Sequence, residues 1–210
     1  MKSVRAGLRG ALAAWLLGSG LLAGCATVPH VQNVENACTI FQDQSGWYEK
    51  SLAAQKKWGV PIHIQLAIIH QESRFKHDAK PSRSRLFWFI PGPRPSTAFG
   101  YAQALDGTWE QYRKHTGVWG ADRDDFGDAV DFIGWYVDQS HKKCGISKWD
   151  ARLQYLAYHE GQRGYNNKTY NKKPWLLKVA QRVENNAARY RMQLTQCRKH
   201  DAGGLSFWPF

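Results

Sequence analysis

From Ile62 to Ser73 the apolar residues Ile62, Ile64, Leu66, Ala67, Ile68 and Ile69 nearly encircle a helical axis. A helix that is apolar on almost every side has to be buried, so the remaining chain must wrap around it. Pro61 opens it, because a proline in the first helical turn lacks an N–H that would go unsatisfied there and has its torsion already set for helix. Further helical patterns run from Trp47 to Trp58, ending at Gly59, and over about 105–115, 124–142, 148–160 and 174–197. Asp106 suits the N-cap of the 105–115 helix, with Glu110 near its opening turn. Residues 76–99 form a long loop holding four prolines and the run Leu86-Phe87-Trp88-Phe89-Ile90. No stretch of alternating β-branched residues supports a strand, and there is neither an internal repeat nor a low-complexity block. With 210 residues, 43% of them hydrophobic, the chain is long enough to close one proper core, and the fold class is mainly α.

The N-terminus follows a different pattern. Lys2, Arg5 and Arg9 precede an apolar or small run from Ala11 to Ala23 with no acid among them. That run is short of the ~20 residues a spanning helix needs, and it reads as an export signal. It ends in Leu22-Ala23-Gly24-Cys25, which resembles the lipobox of bacterial lipoproteins. The resemblance implies cleavage before Cys25, acyl chains on that residue, and, with Ala26 rather than Asp following, sorting to the outer membrane. The plainer alternative is an ordinary cleaved signal with an incidental Cys. The chain then divides into a signal (1–24), a polar tether (25–37), a folded domain (38–198) and a tail (199–210).

Export alters what charge and cysteine content mean. The 29 Lys+Arg against 17 Asp+Glu, a net +12, suggest a polyanionic partner. An exported chain does not work beside nucleic acid, which leaves a membrane face or an acidic polymer as counterparts, the membrane being reached through the N-terminal lipid. Removing residues 1–24 takes away three basic residues, leaving 26 against 17, or +9. With Cys25 lipidated, Cys38, Cys144 and Cys197 suffice for one bridge in an oxidising compartment. Cys38 and Cys197 bracket the domain, and domain termini tend to lie close together, so they are the favoured pair. Cys144, before Gly145 at a helix end, is then a free, buried thiol. No C-x-x-C pair exists, and His63, His70 and His77, spaced by seven, make no His-Glu-x-x-His site. His70-x-Glu72 lacks the Pro-Cys-x-x-Cys partner of zinc deaminases. Neither metal nor cofactor is expected.

The chemistry gathers at the end of the buried helix. Glu72 shares the face of Ile68 and Ile69, where desolvation and the negative end of the helix dipole both favour the protonated acid. A carboxyl protonated near neutrality is a general acid; the alternative is a solvated helix-end glutamate. Downstream stand Gly100-Tyr101-Ala102-Gln103, Thr108-Trp109-x-x-Tyr112 and Ala157-Tyr158-His159-Glu160-Gly161. With Glu72-Ser73, and in this order, these motifs resemble the lytic transglycosylases of the soluble-lytic-transglycosylase class over roughly residues 45–195.

That resemblance implies a goose-lysozyme-like single domain that cleaves the bond between N-acetylmuramic acid and N-acetylglucosamine in peptidoglycan glycan strands, leaving a 1,6-anhydro end. By the same resemblance Glu72 is the acid/base, and Ser73, Gln103, Tyr158 and His159 are the substrate-side residues, with Tyr158 hydrogen-bonding Glu72. The sequence departs from the family where Tyr101-Ala102 replace Leu-Met, where His159 stands for Asn, and where the Pro-rich loop lengthens the interval before Gly100. Simple hydrolysis gains ground if Glu160 or Asp78 enters the cleft, and a catalytically inactive wall-binding lipoprotein is the reading from a different class. Trp109, Trp119, Trp135, Trp149 and Trp175 are read as core. Trp88 with Phe87 and Phe89, flanked by Arg83, Arg85 and Arg94, is better placed for sugar. Partner proteins leave no readable mark.

Overall fold

The computed structural model describes residues 31–83, 85–86 and 90–201. In chain order these form α1 (Ala37–Asp43), α2 (Trp47–Trp58), α3 (Ile62–Ser73), a two-residue antiparallel ladder of β1 (Arg85–Leu86) with β2 (Ile90–Pro91), α4 (Asp106–Thr116), α5 (Phe126–Cys144), α6 (Ala151–Asn166), a 3₁₀ turn (Thr169–Lys172) and α7 (Pro174–Asp201). The chain is mainly helical, and α3 is its centre: Ile64, Leu66, Ala67, Ile68 and Ile69 are each at most 1% exposed. Gln65, buried among them, donates its side-chain amide to the carbonyls of Val60 (2.9 Å) and Ser51 (3.2 Å), while its Oε1 has no partner among the described residues.

Packing follows from which faces are apolar. α2 lies along α5, α3 along α7, and α6 touches both α5 and α7. Trp47 of α2 stacks on Phe126 of α5 with centroids 3.7 Å apart, and meets the edge of Tyr101 at 5.5 Å. This aromatic knot ties the Gly100–Gln103 turn to the two helices. Asp125 and Asp150 cap α5 and α6, accepting from the amides of Asp128 (3.0 Å) and Leu153 (2.8 Å). Among the described residues no helix is long and apolar enough to cross a membrane.

Several expectations need correcting. Residues 31–36 are docked rather than a free tether: Val31 is buried, Tyr190 donates to the Val34 carbonyl, and Glu35 pairs with His70 at 3.0 Å and with Arg189. The helix that follows, α1, begins inside the supposed tether, with Asn36 accepting from the Cys38 amide at 2.9 Å. Asp106 is not the N-cap of α4. Leu105 takes that position, and Asp106 sits in the first turn, its amide donating to Thr97 Oγ1 (3.1 Å) and its carboxylate meeting Arg123 (2.8 Å). Trp109 and Trp135 are core, but Trp119, Trp149 and Trp175 are 56%, 62% and 54% exposed, because the first two lie in turns and the third at the start of α7.

Cys144 is free but only partly buried. Cys38 and Cys197 are joined by a disulfide, Cα–Cα 6.0 Å, across 159 positions. The tail's first residues continue α7 to Asp201. The signal and Cys25, Phe87-Trp88-Phe89, and residues 202–210 lie outside the described residues.

Candidate active site

Glu72 stands on the last turn of α3, and the chain leaves that turn abruptly. Arg74 and Phe75 both take left-handed backbone conformations (φ 51° and 61°), which cost energy for residues with a Cβ. Two contacts hold them: the Arg74 amide donates to the His70 carbonyl at 3.1 Å, and the buried Phe75 ring stacks near Trp47 with centroids 6.1 Å apart. The turn that carries Glu72 is therefore fixed from both ends.

Glu72 as a residue is half-buried. The protein nonetheless surrounds it closely enough that desolvation lifts its pKa from 4.5 to about 7, against a hydrogen bond from Tyr155 that favours the ionised form. Tyr155 is itself buried, and its hydroxyl is pushed far above its ordinary pKa, first by burial and then by Glu72. It remains a donor throughout. Among the described residues no second carboxylate contributes to the titration of Glu72.

Tyr158, expected to hold Glu72, instead donates to the carbonyl of Ala102 at 2.6 Å. It lies close enough to Glu72 that the carboxylate, after burial, raises its hydroxyl pKa. Tyr158 thus pins the Gly100–Gln103 turn against α6, while Tyr155, three residues earlier and on a neighbouring line of the same face, supplies the bond to the acid. Sequence reasoning missed Tyr155; its signal was this i, i+3 relation to Tyr158. The helix ends its regular course just beyond, at Gly161 (φ 73°, ψ 159°), a conformation essentially confined to glycine.

The Gly100–Gln103 turn is equally constrained. A Cβ on Gly100, whose φ is 76°, would fall 2.0 Å from the carbonyl oxygen of Arg123, so no other residue fits. Gln103, at φ 48°, donates its side-chain amide to the carbonyls of Ala79 and Gly100, both at 2.8 Å, closing the base of the 76–99 loop. Ser73 is buried, its hydroxyl donating to Ile69 O at 3.3 Å; that hydroxyl is committed to its own helix. His159 lies beside Glu160 at 2.9 Å.

Neither of the two acids considered as partners approaches Glu72 in this way. Despite the burial that would raise it, the Glu160 pKa is held down at about 2 by hydrogen bonds from Lys173, Thr169 and His159. Asp78 is exposed. A cleft of about 550 Å³ between α3 and α7 is lined by Glu35, His70, Arg74, Arg182 and Arg189 among others. Glu72 does not line this cleft, since His70, two positions earlier on α3, points to the other side of the helix.

What remains is one carboxyl poised near neutrality, steered by a phenol, between a strained turn and a kinked helix. Such a group can give a proton and later take one back. No curated protein matches the chain. The family model described as Transglycosylase SLT domain matches residues 13–197, a span containing the whole of this site, and the chain belongs to that family, whose members act on peptidoglycan.

Proposed function

We propose that the protein is a lytic transglycosylase in which Glu72 is the single acid/base. The observation that carries this reading is the Glu72 carboxyl itself, lifted to about 7 by burial and oriented by Tyr155, with no acid partner among the described residues. Protonated Glu72 donates to the oxygen joining N-acetylmuramic acid to N-acetylglucosamine, and the bond from the muramoyl anomeric carbon to that oxygen breaks. The substrate's own N-acetyl carbonyl takes up the electron deficiency, the route of substrate-assisted glycosidases that manage without a second carboxylate. Glu72, now ionised, removes the proton of the muramoyl C6 hydroxyl, whose oxygen closes the 1,6-anhydro ring. The proton returns to Glu72 and no water is consumed.

Digestion of purified sacculi, with mass spectrometry of the products, tests the reaction. Anhydromuramoyl ends are expected; reducing ends would make the enzyme a muramidase, and binding without products would make it a wall-tethering lipoprotein. Glu72→Gln should lower the rate by about 10²–10⁴-fold, and an undiminished rate would remove Glu72 from the mechanism.

In this reading Cys25 carries lipid and holds the enzyme at the outer membrane, facing the periplasm. The support is the Leu22-Ala23-Gly24-Cys25 sequence after an apolar run, since two acyl chains suffice for stable anchoring. Metabolic labelling with a fatty acid should mark the wild-type chain and not Cys25→Ala. Equal labelling of both would end the assignment.

A further inference from the structure

His159 follows Tyr155 by four residues on α6, so the two side chains rise from one face a helical turn apart. Tyr155 is the residue bonded to Glu72. The His159 ring is held from behind: Nδ1 lies 2.9 Å from Glu160 Oε1, and Glu160, its side chain 4% exposed, is fixed in turn by Lys173 at 2.7 Å and by Thr169. With its pKa held down at about 2, Glu160 is ionised and can only accept. Nδ1 is therefore the donor, which leaves Nε2 as the open nitrogen of the ring, an acceptor in the uncharged imidazole. That nitrogen has no hydrogen-bond partner among the described residues, and the His159 side chain is 33% exposed.

Against this ring, at 5.2 Å and nearly perpendicular (78°), stands Trp175 in the first turn of α7, 54% exposed. The other two exposed tryptophans among the described residues are covered by cations, Trp119 by Arg113 at 5.6 Å and Trp149 by Arg191 at 5.9 Å. Trp175 has no such cover among the described residues. A large open aromatic face beside an oriented acceptor, one turn along the helix from the groups flanking the catalytic acid, has the composition of a sugar site. A pyranose offers an apolar face of C–H groups for the ring and hydroxyl donors for the nitrogen.

We propose that Trp175 and His159 form a saccharide subsite next to Glu72, with Trp175 stacking on a sugar of the glycan strand and His159 Nε2 accepting one of its hydroxyls. The proposal rests on the reading of the chain as a glycan-cleaving enzyme. Glu160, Lys173 and Thr169 do not touch the sugar; they set the orientation of the imidazole.

The test uses the whole chain and soluble, uncrosslinked glycan strands, with kcat and KM measured for Trp175→Ala, Trp175→Tyr and His159→Ala. Trp175→Ala should raise KM about tenfold with kcat within about twofold, the pattern of lost binding common to ground and transition states. Trp175→Tyr should recover most of that loss, and His159→Ala should raise KM in the same direction. A wild-type KM in Trp175→Ala, or a loss of kcat alone, would overturn the subsite, as would failure of Trp175→Tyr to rescue. Calorimetric binding of the same strands to Glu72→Gln, with and without Trp175→Ala, separates the subsite from the reaction. Should the wild type cut nothing while Trp175→Ala still weakens this binding about tenfold, the subsite stands and the proposed reaction falls. Equal binding with and without Trp175 removes the subsite, whatever the wild type cuts.

Discussion

The Glu72 carboxyl has an ordinary pKa of 4.5 and titrates near 7 in the fold, so between those pH values the native chain holds a proton that the unfolded chain has released. Stability must therefore fall as pH rises through that window and level off above it, the displacement corresponding to about 3 kcal/mol. Glu160 has the opposite sign. Its folded pKa of about 2 means that its contribution is present above 4.5 and is lost as pH falls toward 2. Glu72→Gln removes the ionisable group while keeping its shape. Urea unfolding should find that variant more stable than the wild type by about 1–3 kcal/mol at pH 8, where the wild-type carboxylate is desolvated, with the lost charge-assisted bond from Tyr155 reducing the gain. Near pH 4 the two should coincide. If the variant were no more stable at pH 8, burial would not be what holds the proton on Glu72. A carboxyl kept for proton transfer at a cost to stability is the trade that functional sites commonly make.

Elements were legible where the chain marks its own boundaries. Gly59 and Pro61 separate α2 from α3, and both helices take the limits the sequence assigns them. The burial of α3, and with it the environment of Glu72, follows from apolar residues that leave no wet side. α1 was not legible. Seven residues are too few for intrinsic helix stability, and its order comes from contacts remote in sequence, including the Ala37 amide donating to Gln193 Oε1 at 2.9 Å. The ladder of β1 and β2 is too short to show a period of two. In α6 the motif drew attention to Tyr158, yet which of two phenols a turn apart reaches Glu72 depends on how α6 is rotated against α3, and packing decides that. The same limit applies to Trp175: its sequence resembles that of a core tryptophan, and only its place at the first turn of α7 leaves it open.

At the scale of the whole molecule, α1 and the end of α7 form one corner. Besides the Cys38–Cys197 bond, the Glu35 carbonyl accepts from Gln193 at 3.1 Å, Tyr190 donates to Val34 O, and Glu35 bridges His70 and Arg189. If lipid is attached at Cys25, the six residues to Val31 span at most about 20 Å, so this corner would face the membrane and bear any pull from the anchor. A bond closing a loop of 159 positions constrains the unfolded chain strongly, and its loss should cost about 3–5 kcal/mol. The paired variant Cys38→Ser with Cys197→Ser should therefore melt roughly 6–15 °C below the wild type at neutral pH. Activity at 25 °C should be retained, because Glu72, Tyr155 and Tyr158 are held by α3 and α6 and not by α1. Scanning calorimetry with a parallel digestion assay checks both halves. An unchanged melting temperature would mean that the non-covalent contacts hold the corner unaided, and lost activity at full folding would mean that the corner reaches the site.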